Sequence, residues 1–144
     1  MPPDVIQPGS WSPPMGYSNG ILTSAGARLC FVAGQVAWDE RKNLIGVGDF
    51  VAQFRQALSN VVTVVAAAGG EPTDLAQMTI FVVDLSEYRR HASELGAAWR
   101  AVIGRHYPAI ALVEVAGLLE EGALVEIQAV AALPATSQPA GRSA

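Results

Sequence analysis

The sequence predicts an α+β domain in which a β-sheet carries two helices on one of its faces. Three observations lead there. Short β-branched and aromatic runs alternate with two long stretches of helical periodicity, in the order strands, helix, strand, helix, strands. Each helical stretch opens on a capping residue and closes on glycine. The strand runs are apolar on both alternating faces, so two helices can cover only half of what they expose.

The elements follow in chain order. RLCFVAGQV, residues 28 to 36, is short, β-branched and aromatic, hence a strand, and ILTSAG before it predicts a hairpin around Gly26. WDERKNLIGVGD is a polar excursion. From Asp49 as N-cap, Phe50, Phe54, Leu58, Val61, Val62 and Val65 recur at helical spacing, with Gln53, Gln56 and Asn60 assigned to other positions and Gly69-Gly70 as the stop. QMTIFVVDL is the next strand. Ser86 is the expected cap of a second helix with Tyr88, Ala92, Leu95, Trp99 and Ile103 on one stripe, ended by Gly104 and Pro108. Two final strands are expected at about 110 to 118 and 123 to 133, joined across Glu120, Glu121 and Gly122.

Length and composition bound the rest. The 144 residues suit a single domain over 1–144, with a Pro/Gly-rich segment at 1–16 and a flexible tail at 134–144. Hydrophobic residues make up 51% and charged residues 15%, a low charge for a free surface. No apolar run is long enough to span a bilayer and no signal peptide is evident, so a cytoplasmic protein with no membrane partner is expected. A net charge of −4 and scattered basic residues argue against nucleic acid. The two histidines, His91 and His106, are too far apart for a metal site, and no cofactor is expected. Cys30 reads as a buried structural thiol.

Alternation makes the sheet informative. In the penultimate strand Ile110, Leu112 and Glu114 share one face, and Ala111, Val113 and Val115 the other. A second face so apolar is costly to leave in water, at about 25 cal/mol per Å2, and predicts burial between subunits.

At this point the residues resemble a family. GYSNG, FVAGQV, the block NLIGVGDFVAQFRQALSNVVTVVAAAGG, FVVDLSEY, YPAIALVEVAGL and ALVEIQAVAAL, in that order from Gly16 to Leu133, resemble the reactive intermediate deaminase (Rid, YjgF-type) proteins, also labelled L-PSP endoribonuclease-like. The resemblance implies a chorismate-mutase-like mixed sheet, a homotrimer, and small-molecule clefts between subunits. It also implies hydrolysis of imines or enamines such as 2-aminoacrylate to a keto acid and ammonia.

By the same resemblance Glu126 holds a water near the imine carbon, Tyr17 bounds the site beside it, and Tyr88 is an aromatic cleft residue. Backbone groups around Gly34, Ala111 and Leu112 would contact the substrate. The departures are specific. Where the deaminating branch has an arginine gripping the substrate carboxylate, this chain has Ile110; Gly16 replaces a proline, Ala33 a serine and Ala92 an asparagine. Isoleucine offers nothing to a carboxylate, and losing such a buried contact costs about 2 to 5 kcal/mol. A pocket without a cation is therefore expected, with activity on a substrate other than the usual 2-aminoacrylate-like acids. The alternative is a non-catalytic metabolite-binding or regulatory trimer. For Glu126, a water-orienting role and a structural ion pair across a subunit interface both stand open.

Overall fold

Residues 4–136 are described by the computed structural model. A small antiparallel ribbon, β1 (Asp4–Ile6) with β2 (Gly20–Leu22), precedes the main sheet. That sheet has four strands, β3 (Arg28–Gln35), β4 (Leu75–Val82), β5 (Ala109–Glu114) and β6 (Val125–Leu133), in the order β3-β6-β4-β5. β6 pairs antiparallel with both β3 and β4, whereas β4 and β5 are parallel. Parallel neighbours need a crossover, and α2 (Leu85–Arg90) and α3 (Ala92–Val102) supply it. The long helix α1 (Phe50–Ala67) links β3 to β4 through a 3-10 turn at Pro72–Asp74. This is the mixed α+β arrangement that the element order predicts, with the main helices on one face of the sheet.

Burial explains the pairing. Met78, Ile80 and Val82 of β4 and Val125, Ile127 and Ala129 of β6 point to the helices and are almost fully buried against Phe54, Leu58 and Val61 of α1 and Leu95 and Trp99 of α3. Their neighbours point away. Leu29, Phe31 and Val113 are 54%, 74% and 40% exposed on the open face of this single chain. Cys30 lies on the helix side, half-buried against the core.

Several expectations are corrected. The turn at Gly26 exists, with Ala27 N–H donating to the Ser24 carbonyl at 3.2 Å, but β2 pairs with β1 and not with β3. The second helix begins at N-cap Asp84, whose carboxylate accepts from the backbone N–H of Ser86, and it breaks at His91 into α2 and α3. β5 ends at Glu114 rather than at 118, because its partner β4 ends at Val82, whose carbonyl takes the last bond from Val115 N–H at 2.9 Å; the Glu114 carboxylate accepts from the backbone N–H of Leu85 at 3.0 Å. β6 starts at Val125 rather than 123. Asp49 is the N-cap of α1 as expected, and Gly69 follows its end at φ +90°.

Gln53 is the largest misassignment within α1. It is completely buried, its amide donating to the carbonyls of Gly46 at 3.2 Å and Gly122 at 3.1 Å and accepting from the N–H of Leu124 at 2.8 Å. One side chain thus ties three backbone segments to the helix. The tail beyond residue 136 lies outside the described residues. No helix among them is long and apolar enough to cross a membrane.

Candidate functional site

A cleft of about 570 Å3 opens on the helix side of the sheet, between β4 and β5 below and α3 above. Its floor is Ile80, Ile110 and Leu112, adjacent positions of the parallel pair, since Ile80 lies beside Leu112 and Met78 beside Ile110. Phe54 and Leu95 close the back, and Tyr17, Tyr88, Trp99 and Tyr107 supply aromatic walls.

Backbone bonds hold the mouth. Gly16 turns at φ +79°, and the following Ser18 donates its N–H to the Pro108 carbonyl at 3.0 Å and its hydroxyl to the Tyr107 carbonyl. Residues 16 to 18 are thereby pinned to the start of β5, which sets Tyr17 at the rim, 43% exposed. Trp99 and Tyr107 stack with ring centroids 5.8 Å apart and planes 7° from parallel, while the Trp99 indole N–H donates to the His106 carbonyl at 3.1 Å. His106 in turn donates from Nε2 to the Leu75 carbonyl at 2.7 Å, so this histidine is a strut. The Tyr88 hydroxyl sits in this apolar setting, and burial raises its pKa above the ordinary 10.0.

A second grouping lies on the opposite face. Between Val32 and Gln35 β3 carries one residue more than β6 does between Ala129 and Ile127, a bulge that brings Gly34 under the Glu126 side chain. A β-carbon at Gly34 would meet the carboxylate carbon of Glu126 at 2.8 Å. The Glu126 carboxylate has no salt-bridge partner among the described residues.

The sequence-derived residues therefore separate. Tyr17, Tyr88, Ile110 and Leu112 meet in the cleft, whereas Gly34, Glu126 and Ala111 belong to the open face, Ala111 beside Thr79. Glu126 on β6 is two strands from β5, about 10 Å sideways, and on the other side of the sheet. Within one chain Glu126 and Tyr17 cannot touch the same small molecule.

The expectation of a pocket without a cation is overturned. Arg100, on α3 next to Trp99, lines the cleft, and its guanidinium lies back over Gly96, one turn earlier, where a β-carbon would stand 3.3 Å from Nη1. Helical side chains lean toward the preceding turn, so the residue at i−4 decides whether such a fold-back fits. The available signal was a glycine inside a helical pattern, which costs stability unless something needs its space. Ala92 also lines this cleft.

Comparison with known proteins agrees with this architecture. The family profile described as Endoribonuclease L-PSP matches residues 10–133. The chain belongs to this family, the Rid or YjgF proteins. A RutC family protein of Pyrococcus horikoshii is 33% identical over 119 residues, which cover 82% of this chain and 88% of that protein. The crystal structure of the Rid-family protein YyfB from Yersinia pestis, a protein of unknown function, superposes with a TM-score of 0.82 at 32% identity, covering 92% of this chain and all of that one. Escherichia coli TdcF, solved with bound serine, matches with a TM-score of 0.63 at 26% identity over 91% of this chain and 99% of its own. In this Rid-family chain the strand position expected to carry an arginine is occupied by Ile110, whose side chain lines the cleft.

Proposed function

We propose that this Rid-family chain is an imine or enamine hydrolase whose substrate is bulkier and more apolar than the usual 2-aminoacrylate-like acids. The observation that carries the reading is the cleft itself, floored by Ile80, Ile110 and Leu112 and walled by four aromatic rings. Such a lining binds an apolar body through area removed from water, with few polar groups to fix its orientation. The serine bound to TdcF supports a small nitrogen-bearing ligand for the fold.

The chemistry needs a water and a base. Glu126 orients a water and takes its proton as the oxygen bonds to the imine carbon, then passes that proton to nitrogen to give a carbinolamine; the carboxylate next carries the hydroxyl proton to the same nitrogen as the C–N bond breaks, so that ammonia leaves and a carbonyl remains. Because Glu126 and the cleft lie on opposite faces of one sheet, the site is complete only when the open face of one copy meets the cleft of another. The exposed Leu29, Phe31 and Val113 support that assembly, which we take to be a homotrimer.

Purified protein should accelerate hydrolysis of imines with aromatic or branched tails and act weakly on 2-aminoacrylate. Glu126→Gln should lower the rate about 100-fold. A panel of such imines hydrolysed no faster than in buffer would reject the hydrolase and favour a metabolite-binding trimer, whereas an accelerated rate left unchanged by Glu126→Gln would reject Glu126 as the base.

A further inference from the structure

We propose that Arg100 is the anion-recognising residue of the cleft, and that the ligand carries a carboxylate on a bulky apolar body. The inference deepens the reading of this cleft as a ligand site. In the position where an arginine would rise from β5, Ile110 forms part of an apolar floor. The cation comes instead from the facing helix.

Three observations converge on Arg100. It lines the cleft beside the Trp99–Tyr107 stack, so a ligand body resting on those rings has a guanidinium within its reach. The charge is unspent: no salt bridge to Arg100 exists among the described residues, and its helical neighbours at three and four positions are Gly96, Ala97, Ile103 and Gly104. By contrast, Arg90 pairs with Glu87 one turn away on α2. Gly96 inside α3 also lets the guanidinium lie close over the helix, where a β-carbon would stand 3.3 Å from Nη1 and shift it by a few tenths of an ångström.

A guanidinium presents a planar fork that a carboxylate fills with two parallel hydrogen bonds. Arg100 is exposed at the edge of the cleft, so the pairing it offers is open to screening by salt while the apolar wall holds the ligand's body. The cleft thus combines ring stacking for a ligand's body with one charged anchor for its end, and it selects acids by the size of what carries the carboxylate.

Phenylacetate and phenylacetamide form a probe pair of nearly one shape, differing in charge. Titrated into the intact protein, with heat and the indole N–H resonance of Trp99 as readouts, phenylacetate should bind about tenfold more tightly than the amide. The preference should shrink as salt rises. Arg100→Gln should abolish it, bringing phenylacetate down to the amide's level, and Arg100→Lys should retain part of it. Equal affinities in the wild type, no binding of either probe, or an Arg100→Gln protein that keeps the preference would overturn the proposal. A protein that hydrolyses no imine but still discriminates the probes would sink the hydrolase reading and leave Arg100 standing.

Discussion

A methyl group added at position 34 would meet the Glu126 carboxylate, yet Gly34 is not among the glycines with positive φ. Space, and not backbone freedom, demands glycine there. Gly34→Ala is therefore expected to fold normally by circular dichroism while displacing Glu126, with imine hydrolysis reduced at least about tenfold. Tyr88 gives a second residue-scale test. Burial disfavours its phenolate and raises its pKa above 10.0, so its contribution to stability is complete below pH 10 and is lost as pH climbs through the higher folded value. A phenolate absorbance titration should show one tyrosine ionising late, and Tyr88→Phe should remove that component. Of the site, Tyr17, Tyr88, Ile110 and Leu112 were legible from the resemblance and from alternation along β5. Arg100 was not, because a lone arginine on a helix reads as a solvated residue until a neighbouring wall shows what it faces.

Elements show where local signals suffice. The phase of α1 follows from Phe50, Phe54, Leu58 and Val61, whereas Gln53, expected at a position off that stripe, is buried with it. Its three buried hydrogen bonds resolve the conflict, and Gln53→Ala should lower unfolding free energy by about 2 to 4 kcal/mol in urea melts. The break between α2 and α3 had no glycine or proline to announce it, since His91 leaves the helical region at φ −105° and ψ 19° with its ring between Glu87 and Glu94. Likewise the pairing of β2 with β1 is non-local, and a turn signal at Gly26 cannot say which strand a neighbour joins. The helix glycine offers a test with opposed signs. Gly96→Ala should stabilise α3 by about 1 kcal/mol in the same melts while weakening phenylacetate binding, because the new β-carbon crowds the guanidinium.

For the whole molecule the decisive property is the sheet's two-sided apolarity. One face is covered by α1 and α3, and the other presents Leu29 and Phe31 of β3 and Val113 of β5 to water in a single chain. Large apolar side chains exposed on both edge strands of one sheet face are unfavourable for a free monomer and are a mark of an association surface. The same face carries Glu126, so in the trimer we propose assembly and chemistry share one surface, and a protomer alone has a binding cleft without its base. Phe31 is the most exposed aromatic on that face, at 74%, and it makes no part of the helix-side core. Phe31→Asp should leave the protomer folded, since nothing behind the sheet is disturbed, but a buried unpaired carboxylate in each contact should prevent association. Light scattering on eluted protein should then give the mass of one chain in place of three, with imine hydrolysis lost and the preference for phenylacetate over its amide retained. A Phe31→Asp protein that stays assembled, or a wild type that elutes as a monomer and still hydrolyses imines, would separate the open face from the chemistry.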